Sequence, residues 1–210
     1  MKLVILSDTM KLVILSGGLD SVVLLHWVLA NSESNADVDT IMFDYGQKHK
    51  KELVYAKYWT QLFNLGSKVY DLDGMFSDSA LLGDRAMPYN DEDMSPTVVP
   101  GRNMVFISVA ASAAMAGGYS SIYIGTNKDD RKVYPDCRFT FLEGMATAIN
   151  KASEGKVSLE YPFANMTKKQ IVELGMQLNV DFDKTWSCYE GGEKPCGVCG
   201  ACQVRNEAMK

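Results

Sequence analysis

Ser16-Gly17-Gly18-Leu19-Asp20-Ser21 joins residue types that suit an anion. Two adjacent glycines let the backbone approach closely and take up positive φ without a Cβ clash. A helix starting here would aim its unpaired N–H groups and the positive end of its dipole at the same point. The two serines add hydroxyl donors, so the turn fits a phosphate. The plain alternative is a glycine turn leading into a capped helix. The GxxxxGK[ST] spacing of a Walker A loop is missing, and so is the third glycine of a dinucleotide fingerprint. At the other end, Cys188, Cys196, Cys199 and Cys202 hold four of the five cysteines within the last 23 residues. Four soft ligands, with Gly197 and Gly200 each following a cysteine, suit a tetrahedral Zn2+ site that pins the tail rather than performing chemistry. An iron–sulfur cluster is the rival reading. Disulfides do not fit a reducing compartment. Cys137, the fifth, reads as a small buried residue.

Further polar residues stand where chemistry needs them. Arg102 and Asn103 open an apolar, Ala-rich stretch. A cation at a helix N-terminus opposes the dipole, which favours an anion partner such as a phosphate or a carboxylate. Lys168 also begins a helical pattern, and either reaches phosphate or is solvated. Gln47 and His49 share a polar turn, where His49 is either a surface or capping residue or a catalyst. Tyr134, Asp136 and Arg138 lie in a loop-to-helix turn. Asp136 either accepts from the N–H edge of a substrate or caps the next helix.

These residues need a frame. Short apolar runs predict strands over 12–15, 40–43, 68–72, 121–124 and 157–159. Amphipathic or apolar stretches predict helices over 20–30, 50–65, 102–116, 136–152 and 167–178. Residues 83–101, with three prolines and several acids, read as a loop. The alternation implies an α/β fold: a parallel twisted sheet with helices on both faces. Ligands bind such sheets at the carboxyl ends of the strands, which places the chemistry just after Leu15, Phe43 and Ile124.

With 210 residues, a net charge of -5 and 47% apolar residues, the chain is sized for one globular domain with a small appendage. The acidic balance argues against an undirected grip on nucleic acid, and no apolar run is long enough for a membrane helix. Met1 to Ser7 repeats as Met10 to Ser16. Only the second copy feeds the glycine turn, and no cleavage pattern follows the first, so a secretory signal is rejected. The expected division is a duplicated extension over 1–9, a catalytic domain over 10–184 and a zinc-binding segment over 185–210, in a cytoplasmic protein.

The turn matches the PP-loop signature of ATP pyrophosphatases. With Asp44-Tyr-Gly-Gln-Lys-His49, Val99-Pro-Gly-Arg-Asn103, Gly125-Thr-Asn127, Tyr134-Pro-Asp-Cys-Arg138, Thr185-Trp-Ser-Cys188, the four cysteines and Arg205, the chain resembles the 7-cyano-7-deazaguanine synthase family from Met10 onward. The resemblance implies a PP-loop fold, ATP and Mg2+. It also implies conversion of 7-carboxy-7-deazaguanine and ammonia, through an adenylated carboxylate and an amide, to the 7-cyano compound of queuosine or archaeosine synthesis. An amide-forming variant for viral DNA modification, or a tRNA-modifying PP-loop ligase or thiolase, is the alternative. The resemblance makes Leu15, Ser16, Gly17, Gly18, Leu19, Asp20, Ser21, Val22, Val23, Leu24 and Leu25 the ATP-binding segment, with Phe43, Asp44 and Tyr45 beside the adenine. Asp20 would help to hold magnesium or pyrophosphate. Gln47, His49, Arg102, Asn103, Asn127, Tyr134, Asp136, Arg138 and Lys168 become substrate or catalytic candidates. The implied partners are these small molecules and a second copy in a homodimer, with no direct nucleic-acid contact.

Overall fold

The computed structural model describes residues 10–82 and 95–210. The duplicated extension, and residues 83–94 of the expected loop, lie outside the described residues. Five strands form one parallel sheet: β1 (Lys11–Ile14), β2 (Val38–Asp44), β3 (Gly66–Asp71), β4 (Ser121–Tyr123) and β5 (Ser158–Glu160), in the order β3-β2-β1-β4-β5. Val13 lies opposite Thr40 on one side and Tyr123 on the other. The order reverses between β1 and β4, so the crevice of a doubly wound sheet opens there.

Strand alternation divides the core into two layers. Leu12 and Ile14 of β1, with Ile41 and Phe43 of β2, face α3 (Arg102–Gly117) and α4 (Phe139–Ala152). Val13 and Leu15, with Val38 and Met42, face α1 (Leu19–Ala30), α2 (Lys51–Leu62) and α5 (Lys168–Gln177). Both faces of the sheet are thus covered, as the alternation of elements requires.

Local signals set the boundaries. α2 stops short of the expected end because Asn64 adopts a left-handed φ of 53° and the Leu65 N–H donates back to Thr60 O at 2.9 Å. β3 can then begin at Gly66, earlier than expected. Thr167 and Gln170 form a reciprocal capping box on α5. The helix expected from residue 136 starts instead at Phe139, because Pro135–Cys137 is a short 3₁₀ turn. A final helix, α6 (Gly200–Ala208), starts directly after Cys199 and carries Cys202; it is not foreseen in the sequence.

Candidate active site

The glycine turn lies between β1 and α1, at the reversal point. Gly17 has φ +90°, and a Cβ there would stand 1.9 Å from the carbonyl oxygen of Glu52, so α2 packs directly on the turn. The Ser21 hydroxyl ties the loop together. It accepts from the N–H groups of Ser16 (3.2 Å) and Gly17 (3.1 Å) and donates to Gly18 O (3.0 Å). No side chain caps α1, which leaves its first N–H groups facing the crevice. The turn has the glycine geometry and uncapped helix start that the sequence pattern predicts.

Asp20, in the first turn of α1, is gripped from two other elements. Its Oδ2 accepts from Lys168 Nζ of α5 in a short contact, and from Asn127 Nδ2 at 3.2 Å. Asn127 also donates to Asp130 Oδ2 at 2.8 Å. Burial opposes the charge on Lys168, but Asp20 and Asp130 outweigh it and raise its pKa. Burial also raises the pKa of Asp130, with Lys168 acting against it. Asp20 Oδ1 is buried without a hydrogen-bond partner among the described residues. An orphaned carboxylate oxygen beside a second acidic side chain fits a hard cation such as Mg2+, which takes oxygen ligands.

The end of β2 forms the opposite wall. Phe43 stacks on Phe106 of α3, with ring centroids 4.3 Å apart and planes at 11°. Gln47 is internal, accepting from the Tyr45 N–H at 2.8 Å and donating to Phe43 O at 3.3 Å. Arg102 Nη1 donates to the Tyr45 hydroxyl at 3.1 Å, which among the described residues leaves most of its donor fork for other partners. His49 Nε2 lies 3.5 Å from Glu52 Oε2. A hydroxyl chain, Thr97 to Tyr134 (2.8 Å) to Tyr189 (3.1 Å), crosses the mouth. All of these groups except Thr97 line a cavity of about 240 Å³. A second cavity of about 140 Å³, toward α6, shares Leu19, Asp130, Tyr134, Lys168, Ser187, Tyr189 and Ala201 with it.

The cysteine segment closes the remaining side. The Sγ atoms of Cys188, Cys196, Cys199 and Cys202 lie within 4.8 Å of one another, so the cluster could hold a metal ion. The Cys196 N–H donates to Cys188 Sγ, and the Cys199 N–H to Cys196 Sγ, both at 3.3 Å. Trp186, Ser187, Tyr189 and Ala201, all within this segment, line the cavity. The Trp186 N–H donates to Gly17 O at 3.0 Å, joining the segment to the glycine turn.

The family model of the queuosine biosynthesis protein QueC matches residues 10–210. The chain belongs to the QueC family. Proteins named 7-cyano-7-deazaguanine synthase are similar to it over nearly their whole length. The one from Caldicellulosiruptor saccharolyticus is 42% identical over 94% of this chain and 89% of its own. Those from Desulfotalea psychrophila (39%, covering 95% and 93%) and Methanoregula boonei (39%, covering 94% and 92%) are comparable. The fold is similar to that of the U34-tRNA thiolase NcsA from Methanococcus maripaludis with its 4Fe-4S cluster. The TM-score is 0.56 at 16% identity, over 98% of this chain and 66% of that one. At that identity the likeness shows the fold alone.

Within this QueC family member, the structure sorts the candidate residues by place. Leu15, Ser16, Gly18, Leu19, Asp20, Ser21, Phe43, Tyr45, Gln47, His49, Arg102, Asn103, Tyr134 and Lys168 all line the cavity. Val22, Val23, Leu24 and Leu25 lie in the core below the turn. Asp44 turns away to pair with Lys50 at 3.0 Å. Arg138 is exposed, its Nε donating to Arg131 O at 3.4 Å. Asp136 does cap a helix, though not the next one: its Oδ2 accepts from the Asn103 N–H at 2.8 Å, at the start of α3. It thereby supports the helix end that carries Arg102. Asn103 also donates to Cys137 Sγ at 3.3 Å, which holds that cysteine as a buried packing residue. Glu52 and Asp130 line the cavity and are not foreseen in the sequence.

Proposed function

We propose that this chain converts 7-carboxy-7-deazaguanine and ammonia to 7-cyano-7-deazaguanine at the expense of ATP. The observation that carries this reading is the uncapped glycine turn at the sheet reversal, with the half-buried Lys168–Asp20 pair beside it, in a chain so similar to the named synthases. A carboxylate resists nucleophiles, so its oxygen must first become a good leaving group. The turn and the first N–H groups of α1 receive the pyrophosphate end of ATP, and Lys168 adds a fixed positive charge. Phe43, at the end of β2, offers a flat apolar wall for adenine. Arg102 holds the substrate carboxylate or the α-phosphate through its free donors. Tyr134 and Asn103 shape the far side for the deazapurine.

Mg2+, held by Asp20 Oδ1 and Asp130, would neutralise charge on the phosphates. Zn2+ is the proposed occupant of the cysteine cluster. A tetrahedron with Zn–S bonds of about 2.3 Å has sulfur edges of about 3.8 Å, close to the 4.0 Å between Cys196 and Cys202. An iron–sulfur cube sets each thiolate on a separate iron and needs a wider spread. We also propose a cytoplasmic homodimer, a working unit that begins at Met10, a zinc-binding segment over 185–210, and no direct nucleic-acid partner.

Incubation with the carboxylate, ammonia, ATP and Mg2+, followed by mass analysis of the product and an assay for AMP, tests the reading. A nitrile with AMP supports it, an amide end product moves it to the amide-forming variant, and no AMP overturns it.

A further inference from the structure

Glu52 stands in the first turn of α2, and none of the steps above uses it. Its Oε1 is 3.2 Å from the point that a Cβ on Gly18 would occupy, so the carboxyl lies against the glycine turn. The side chain lines the cavity, 16% exposed, with His49 Nε2 at 3.5 Å. The charged and titratable groups around it come from every neighbouring element. Asp20 comes from α1, Arg102 from α3, Lys168 from α5, and Tyr45 and His49 from the turn after β2. Burial pushes Glu52 up to about 8; Asp20 adds to this, while Arg102 and Lys168 act against it. His49 goes the other way, lowered to about 3 by burial and then by Arg102, so it is neutral at working pH. Its Nδ1 is buried with no hydrogen-bond partner among the described residues. A half-buried carboxyl whose pKa is raised, beside a neutral imidazole and at the cavity, is matched to proton transfer.

The inference rests on the reaction proposed above. There, ammonia adds to the adenylated carboxyl carbon, and the new nitrogen centre carries a proton too many. We propose that Glu52 is the catalytic base that removes this proton, with His49 as the positioning residue that holds its carboxyl. The nitrogen lone pair forms the C–N bond, and the carbonyl π pair moves onto oxygen. Ionised Glu52 then takes one proton from the ammonium-like nitrogen. Collapse restores the C=O bond and breaks the C–O bond to AMP, which leaves with that electron pair. Acyl adenylate, ammonia and ionised Glu52 thus give amide, AMP and protonated Glu52, which returns its proton to water before the next turnover.

E52Q keeps the size of the side chain but cannot accept the proton. Ammonia-dependent turnover should fall by about 10²–10⁴-fold, the usual worth of a general base. The adduct of hydroxylamine sheds its proton far more readily than that of ammonia. Hydroxylamine in place of ammonia should therefore restore much of the lost rate, read as hydroxamate. With the rate referred to the concentration of free NH3, the wild-type rate should rise with pH through the ionisation of Glu52, and this limb should vanish in E52Q. E52D keeps a carboxyl one methylene further back, so it should keep the limb at a reduced rate. H49N should shift the limb rather than remove it. Ammonia turnover by E52Q within a few-fold of wild type, or equal loss with both nucleophiles, would overturn the assignment. Absence of AMP formation by the wild-type enzyme would instead remove the parent reaction, so the two failures are distinguishable.

Discussion

Replacement of Gly17 by alanine tests whether the glycine turn owes its shape to the close approach of α2. Two costs apply. The first is backbone conformation: at φ +90°, a Cβ-bearing residue is strained by about 1–2 kcal/mol. The second is contact. The new methyl would sit 1.9 Å from Glu52 O and 2.8 Å from Ala56 N, and both are backbone atoms of a packed helix. No side-chain rotation relieves that overlap, so the cost falls toward the upper end of the 1–3 kcal/mol typical of overpacking. Gly118 supplies the control, because its φ is +74° and nothing lies within 4 Å of its would-be Cβ. G118A should cost only the backbone share, about 1–2 kcal/mol.

For a chain of this size, 1 kcal/mol lowers the melting temperature by about 2–4 °C. G118A should therefore melt lower by about 2–8 °C, and G17A, at about 3–5 kcal/mol, by about 6–20 °C. G17A should also lose ATP-dependent AMP formation, since α2 can retreat only by moving Glu52 and His49 away from the turn. G118A, far from the crevice, should keep it. Differential scanning fluorimetry and an AMP assay on both variants decide the matter. Equal melting of G17A and G118A would refute the claim that α2 fixes the turn by contact.

K168M breaks a half-buried ion pair and leaves Asp20 with Asn127 but without its cation. It should cost about 3–5 kcal/mol in chemical denaturation and abolish pyrophosphate release, which a phosphate-release assay with pyrophosphatase can follow. Protonation of Glu52 in the fold at a pH where the unfolded chain has lost the proton makes its contribution to stability full below about 4.5. That contribution declines as pH rises toward about 8. His49, with its folded pKa lowered to about 3, contributes in the opposite sense, gaining from about 3 up to its unfolded value and constant above it. Between about 6.5 and 8, therefore, wild type should lose up to about 2 kcal/mol more than E52Q when the two are denatured in parallel. C199S should lose the bound metal by elemental analysis and lose AMP formation with it, because binding free energy in such a site is folding free energy. The purified wild-type protein should carry about one zinc per chain and be colourless; a brown protein would show iron instead.

The site was legible in the sequence wherever a residue type was conspicuous for its local position. A glycine pair at a strand end, a cation opening an apolar helix and four clustered cysteines all break a pattern, and each can be seen without a partner. Glu52 and Asp130 break none. A glutamate in an amphipathic helix and the second acid of Asp129-Asp130 look like solvated charge, and only the fold turns them toward the crevice. Asp136 shows the same limit in another form. Its capping role was readable, but the N–H it caps, that of Asn103, lies 33 residues earlier. The strands were readable because a two-sided parallel sheet needs short continuous apolar runs, whereas their ends drifted with turn chemistry such as the left-handed Asn64. α6 went unseen because its apolar positions are few, and its place depends on cysteines that pack on one another.

The cysteine segment would have a larger part in the proposed reaction than its place at the end of the chain suggests. A metal there would touch no reacting atom, yet residues beside and between its ligands form a wall of the cavity. Trp186 and Ser187 directly precede Cys188, Tyr189 directly follows it, and Ala201 lies between Cys199 and Cys202. The backbone of Trp186 is hydrogen-bonded to Gly17, and the hydroxyl of Tyr189 to Tyr134. Arg205 of α6 reaches back to Thr185 Oγ1 at 2.7 Å and to Phe182 O at 2.6 Å, closing the segment on itself. A wall carried on loops would otherwise be loose, because few apolar side chains hold it down. Four bonds to one ion would remove that freedom at once, so a metal held there would act on the chemistry by fixing the position of side chains it does not touch.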